Sequence, residues 1–383
     1  MFLLTCLIVG TLLYIGAMYA RGYRFDKNAG KLSPRGLLVV KSNPDGAQVY
    51  LDGTLKTATN TNLSLAPGGY KLEIKKDGYR TWSKEITIEK EVVTEADAAL
   101  FKVAPALSPI TFFGAGFPVE SDDFSKIAFS VPATTENLAL DKEGLWIIET
   151  INLPIGFSRD PRRIADGDLV KATWSFSPDS RQILLKTLTG TYLLDTGTFT
   201  PQVKRVGINL TVDKLLQNWI KERDIRVKSQ LKNAPKELAE ILTTKATNIF
   251  FSPDETKIIY LASADASIPK ELIKPIPGAS TQTEERDIKK GRTYIYDIKE
   301  DRNFMITDKA QTLRWYPTSK QILLTDKDKI VLLDYDGTNK QEVYSGSYSF
   351  PFAFPTANAD RIIILTNLGA SSTTENLYTL ILK

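Results

Sequence analysis

Few residues in this 383-residue chain could do chemistry, because it contains no histidine and one cysteine, Cys6, set in an apolar segment. Without histidine, the usual general base, the commonest metal ligand and the group that titrates near neutral pH are all missing. That excludes serine triads, histidine-ligated zinc, disulfides within the chain and cysteine metal sites. Tyr79, Arg80 and Trp82 put two flat rings beside a cation, the composition of a carbohydrate-stacking platform; the same rings could instead close a small hydrophobic core. Asp334-Tyr-Asp336-Gly-Thr-Asn339 spaces oxygen ligands as calcium loops do, but it lacks the distal glutamate, and an Asp-Gly turn between strands explains it. Ser267-Ile-Pro-Lys270 has the spacing of a serine–lysine nucleophile without that class's partner motifs. Gly114-Ala-Gly116 lacks the third glycine of a dinucleotide loop, and there is no Walker loop. What stays open for catalysis is a pair of carboxylates about 5 to 10 Å apart, as glycoside hydrolysis requires. No catalytic, metal or cofactor residue is assigned.

The charges bear on partners. With 49 Lys+Arg against 45 Asp+Glu, scattered along the chain, there is no basic face for nucleic acid. The partner expected at this level is a membrane, through the apolar segment; no small-molecule cofactor is expected.

Stepping along the chain gives the elements that must position any site. Phe2 to Ala20 carries no charge, and at about 1.5 Å per residue it reaches close to the roughly 30 Å of a bilayer's hydrocarbon core. Residues 1–22 are therefore read as a transmembrane anchor and 23–35 as a linker. A cleaved signal peptide is the competing reading, but there is no basic n-region, and Met18 with Ala20 fits the small-x-small rule poorly. Arg21, Arg24, Lys27, Lys31 and Arg35 follow the segment, and the positive-inside rule would keep that flank in the cytoplasm. Topology is thus in conflict at this level. With Met1 alone ahead of the segment, the whole folded body is expected on one side.

From Gly36, alternation at Leu38, Val40, Val49 and Leu51, then Tyr70, Leu72 and Ile74, then Ile86 and Ile88, reads as half-buried strands. Asn43-Pro44-Asp45-Gly46, Asp52-Gly53, Pro67-Gly68-Gly69 and Asp77-Gly78 supply the turns, so residues 36–101 form a small antiparallel sandwich. Pro44-Asp45-Gly46-Ala47, Pro67-Gly-Gly-Tyr70 and Lys76-Asp-Gly-Tyr-Arg-Thr-Trp82 resemble the PEGA domain, with Asp in place of Glu in its signature turn. The resemblance implies a surface-associated β module, often extracytoplasmic, in contact with protein or cell wall; it carries over no catalytic residue.

A second signal is repetition. A Ser/Pro/Asp-type turn followed by an apolar strand recurs at Ser121 to Phe129, Ser177 to Leu185, Ser252 to Tyr260, Tyr316 to Leu324 and Pro355 to Ile364. Each copy is followed by another apolar strand, for example Thr191-Tyr-Leu-Leu-Asp195. The unit resembles the WD-like repeats of TolB-type propellers, with the turn glycine replaced by Ser180 and Glu255. The expected fold is all-β: a PEGA-type sandwich and then, over residues 102–383, a roughly five-to-six-bladed β-propeller. The segment around Ala98 to Leu107 is expected to complete the last blade. Paired apolar residues such as Leu215 with Trp219 and Leu238 with Leu242 make 211–243 a helical insertion, a pair packed on its own propeller or a partner-docking arm. Residues 264–292, rich in Pro, Ser, Thr and charge, read as an exposed mobile loop. The functional expectation is a non-catalytic, membrane-anchored binding or scaffold protein of a bacterial cell surface or periplasm; the alternative is a carboxylate-dependent glycan-processing propeller enzyme.

Overall fold

The computed structural model describes residues 2–20, 22–26, 31–151, 160–308, 313–370 and 374–383. Two of the flanking basic residues, Arg21 and Lys27, lie outside the described residues. The chain forms two compact units, one of Met1–Val103, Pro269–Glu285 and Lys299–Phe304, the other of Ala104–Ile268, Arg286–Ile298 and Met305–Lys383.

In the first unit, α1 (Phe2–Ala20) is apolar all round, with mean hydropathy 2.0 and no buried residue. By length and composition it can cross a membrane. Just past its end the Arg24 guanidinium lies 3.9 Å from the centre of the Tyr19 ring, the basic–aromatic pairing favoured where hydrocarbon meets headgroups.

The sandwich has a four-stranded antiparallel sheet in the order Thr54–Ala58, Gln48–Leu51, Gly68–Lys75, Trp82–Ile88. Its second sheet is ordered Thr61–Leu65, Gly36–Asn43, Val93–Ala99. Alternation does what it should: Leu38, Val40, Val49, Leu51, Leu72 and Ile74 all point into one core. One strand departs from the antiparallel expectation. Val93–Ala99 runs parallel to Gly36–Asn43, with Leu38 opposite Thr94 and Ser42 opposite Ala98, so Ala98 belongs to the sandwich and not to a propeller blade. The segment read as a mobile loop also differs. Its residues 269–285 pack within this unit: the Thr87 N–H donates to Thr281 Oγ1 at 3.2 Å, and Gln282 Nε2 donates to the Glu85 carbonyl at 2.5 Å. A Cβ on Gly278 (φ +76°) would lie 2.2 Å from the Val93 carbonyl oxygen, so that close approach requires glycine.

The second unit is a β-propeller of five three- or four-stranded antiparallel sheets among the described residues, beside a two-stranded ladder of Ala266–Ser267 with Asp287–Ile288. Blade 1 is Gly116–Glu120, Lys126–Val131, Gly144–Glu149 and Arg162–Ala165, with the short helix α2 (Thr135–Ala139) between its second and third strands. Blade 2 is Thr173–Phe176, Gln182–Lys186 and Thr191–Asp195, its fourth position reduced to a bridge between Tyr192 and Gly207. Blade 3 is Ala246–Phe251, Lys257–Ala262, Thr293–Asp297 and Arg302–Thr307, of whose last strand Met305–Thr307 fall in this unit; blade 4 is Leu313–Trp315, Gln321–Thr325, Lys329–Asp334 and Gln341–Ser345. Blade 5 is Ala353–Pro355, Arg361–Thr366 and Asn376–Ile381, and its fourth strand is Ala106–Pro109, from the other end of the domain. Closure therefore comes from the region after the sandwich, as expected, but from 106–109.

Apolar side chains join the blades. Ala128 and Leu145 of blade 1 share a cluster with Trp174 and Phe176 of blade 2, while Phe129 and Ile148 of blade 1 share another with Phe354 and Ile363 of blade 5. Blade 1 thus touches both the second and the last blade, which makes the array a ring.

The repeated turn has one physical design. Ser177 Oγ donates to Asp179 at 2.6 Å and accepts the Gln182 N–H at 2.9 Å, and Asp179 accepts the Arg181 N–H at 3.1 Å. Ser121 with Asp123 and Ser252 with Asp254 repeat the set at 2.6 Å. The Ser177 hydroxyl is the leading reason the Asp179 carboxyl sits below its ordinary range. Each turn ends in a left-handed residue, Phe124, Ser180, Glu255, Ser319 or Ala359, at φ of 56° to 61°. Glycine would take that conformation without steric cost. We expect Ser177→Ala to cost about 1–2 kcal/mol by urea denaturation, since it orphans the Gln182 N–H. Ala359→Gly should gain about 0.5–1 kcal/mol by relieving the backbone, with a small or negative change arguing that the chain tolerates the conformation without strain.

Candidate functional site

The residues singled out by sequence do not assemble into a site. Trp82 is 2% exposed and belongs to the sandwich core, with Tyr79 packed against it. The Arg80 N–H donates to the Phe101 carbonyl at 2.8 Å, fixing the strand end. With Trp82 turned inward the three residues offer no flat face for a sugar, and the platform reading gives way to the core one. Asp336 Oδ1 accepts from Thr338 Oγ1 at 2.6 Å and from the Thr338 N–H at 3.2 Å, while the Gly337 N–H donates to the Asp334 carbonyl at 2.9 Å. This is an Asp-Gly turn whose carboxylates are taken up by Thr338 and, for Asp334, by the Gln321 side-chain amide at 3.4 Å. No group of three or more His, Cys, Asp or Glu side chains is placed to hold a metal among the described residues. Gly114 has φ +87°, and a Cβ there would meet Thr374 Cγ2 at 2.7 Å, so the Gly114-Ala-Gly116 glycine serves a tight corner.

The chemistry that the fold does concentrate lies on the first strands of the blades, which line the ring's axis. Those five strands carry two charged residues, Glu120 in blade 1 and Arg314 in blade 4. Arg314 Nη1 donates to Glu120 Oε2 at 3.5 Å, a contact between blades that are not neighbours in sequence order. The guanidinium also lies 4.8 Å from the centre of the Phe354 ring of blade 5. Glu120's side chain is 7% exposed, and its Oε1 is buried without a hydrogen-bond partner. Burial is the main force on this carboxyl: desolvation pushes it up to about 8, with Arg314 pulling the other way and Asp123 adding to the rise. Near neutral pH Glu120 is therefore mostly a neutral acid held under an arginine.

Sequence reasoning missed this pair, although a signal was present. Aligned on the turn, the residue before it is Phe176, Phe251, Trp315 or Pro355 in four blades and Glu120 in the first. One carboxylate in a slot that the other blades fill with apolar groups is the anomaly that could have found it.

The helical insertion sits on the same structural theme. In α3 (Val212–Leu231), Arg223 Nε donates to Asp122 at 2.8 Å, Arg226 Nη2 to the Pro178 carbonyl at 3.1 Å, and Gln230 Nε2 to Glu255 Oε1 at 2.9 Å. These partners are the repeat turns of blades 1, 2 and 3 in succession. Trp219 and Leu231 are its buried residues. The shorter α4 (Lys236–Lys245) buries Leu238 and Leu242. The insertion thus packs on its own propeller, as the first of the two sequence readings has it.

Sandwich, ring and apolar helix together define a propeller protein with an amino-terminal β module and one helix able to cross a membrane. Within it, residues 35–103 match the PEGA domain. No curated protein matches the chain. Solved structures with a similar fold include a putative TolB from Agrobacterium tumefaciens (10% identity, TM-score 0.21, covering 88% of this chain and 98% of that one). They also include an oligogalacturonate lyase from Vibrio parahaemolyticus (11% identity, TM-score 0.23, 94% and 96%). The Pyrococcus horikoshii acylaminoacyl peptidase is similar at 12% identity and TM-score 0.23, over 72% of this chain and 39% of that enzyme's length.

Proposed function

We propose that this chain is a membrane-anchored binding or scaffold protein, held outside the cytoplasm by α1, whose sandwich and propeller present surfaces to a protein or cell-wall glycan without transforming it. The observation that carries this reading is the axial inventory. A two-carboxylate mechanism needs an acid and a base about 5 to 10 Å apart. Among the described residues, the first strands offer Glu120 as their acid, and it faces Arg314, while the nearby Asp123 carboxylate is closed into its own turn by Ser121 and Ser125. A carboxyl titrating near 8 is tuned for proton donation, so glycan processing keeps a specific alternative with Glu120 as its acid.

Incubating the full-length protein with purified cell-wall glycan separates the two. Binding without release of reducing ends or soluble fragments supports the scaffold reading. Fragment release that Glu120→Gln abolishes would establish the enzyme instead. The membrane and extracytoplasmic parts of the proposal draw on the apolar α1, on the Tyr19–Arg24 pair at its end and on the PEGA match. The basic flank argues the other way under the positive-inside rule, whose weight falls when a long folded domain follows.

A further inference from the structure

The two sides of the helical insertion have different surroundings. One side of α3 is fastened to the repeat turns through Arg223, Arg226 and Gln230. Away from it, the last turns of α3 and one face of α4 line an open cleft of about 470 Å³, a size that takes one or two side chains. Leu231, Ala234 and Ala239 are among its apolar wall, and Lys228, Lys232 and Lys236 stand around it with Glu240 as the one acid. The side-chain ammonium groups of Lys228 and Lys232 have no ion-pair or hydrogen-bond partner among the described residues, and Lys236 reaches Glu240 at only 4.0 Å. The rim therefore carries an unneutralised positive charge over an apolar floor. Ile225, 57% exposed, lies one turn before Lys228 on the same side of α3 and extends the apolar strip beyond the cleft.

We propose that this cleft captures an acidic peptide segment carrying an apolar side chain, whose carboxylates pair with Lys228 and Lys232 while the side chain enters between the helices. Charge complementarity selects the acid. Neutral polar recognition is weak there, because Thr243 Oγ1 and Thr244 Oγ1 are turned back to the helix carbonyls of Ala239 and Glu240 at 2.7 and 2.9 Å. No aromatic ring lines the cleft for a sugar to stack on. The inference goes beyond the anchored-scaffold reading, since it needs neither the membrane nor the axial pair.

The test uses the full chain in phosphatidylcholine nanodiscs and, as probe, a fluorescein-labelled peptide of repeated Asp-Glu-Leu units. Polarisation should rise at low salt and fall back at about 0.5 M salt, where exposed charges are screened. Lys228→Glu with Lys232→Glu, both exposed and so compatible with folding, should weaken binding about tenfold or more, since each exposed pair is worth up to several-fold and reversal replaces attraction by repulsion. Ala239→Trp, which fills the cleft at constant charge, should do the same. The proposal is overturned if the peptide does not bind at low salt, or if the charge-reversed protein binds it as tightly as the original. It is equally overturned if lysine-dependent binding is seen to anionic vesicles and not to the peptide. None of these outcomes depends on whether glycan is bound or cleaved.

Discussion

Deleting Ala106–Pro109 should lower the melting temperature of the propeller by about 10 °C. This strand pairs in register with the last strand, Ala106 opposite Ile381 through Pro109 opposite Tyr378, so its loss leaves a raw edge beside Leu377 and Leu380, both fully buried. Beyond the strand, the Ile110 N–H donates to the Leu377 carbonyl at 2.8 Å. Thr111 Oγ1 accepts the Leu377 N–H at 2.8 Å and donates to Asn376 Oδ1 at 3.0 Å. Several paired backbone groups at roughly 0.5–1.5 kcal/mol each, converted at roughly 2–4 °C per kcal/mol for a domain of this size, give that drop. Edge exposure should also promote association, because an unpaired strand edge templates pairing with another chain. Thr111→Val, which removes the clasp and keeps the strand, should show a smaller loss of about 1–3 kcal/mol. A melt unchanged by the deletion would mean the ring does not depend on that closure.

The second large effect concerns Arg314→Met. With the cation gone, Glu120 is buried at 7% exposure with nothing opposite it. At pH 9 the carboxyl is ionised against Arg314 in the original protein but stays protonated in the variant, because losing the cation raises its pKa further, so the loss should be about 2–4 kcal/mol. At pH 6 the group is protonated and the loss should shrink to about 1–3 kcal/mol. The original protein should show the same group from the other side. Its folded titration near 8 lies above the ordinary value of 4.5, so between those pH values the native state keeps a proton that the unfolded chain has released. Stability from this group is then fully present below about pH 4.5 and is lost as pH rises through 8. Glu120→Leu combined with Arg314→Met should flatten that slope and cost little, because a well-packed apolar pair often replaces a buried ion pair at no loss. Denaturant unfolding at the two pH values reads both. Equal losses at pH 6 and pH 9 would contradict the assignment.

Much of the architecture was legible because it is written in local chemistry. The Ser-Pro-Asp turns announce themselves, and the structure shows why: Ser177 and Asp179 close the turn on each other and on the following backbone. Alternation at Leu38, Val40, Leu72 and Ile74 located the sandwich core, since its period is that of the pleat. Non-local pairings were not legible. Nothing in the run from Val93 to Ala99 says that it will lie parallel to Gly36–Asn43, and nothing in 269–285 announces bonds to Glu85 and Thr87. The site was missed for a related reason. Tyr79, Arg80 and Trp82 drew notice as a composition, yet a sandwich this small needs its large ring inside, and Trp82 is used there. Glu120 and Arg314 are each ordinary in sequence and become notable only when the ring brings blades 1 and 4 together.

The central proposal is an anchored body that works by presenting surfaces outside the cell's cytoplasm. Protease treatment of intact cells, blotted for the propeller, tests that most directly. The expected result is degradation before lysis, with an internal cytoplasmic marker left whole. Degradation only after lysis would place the body inside and contradict it.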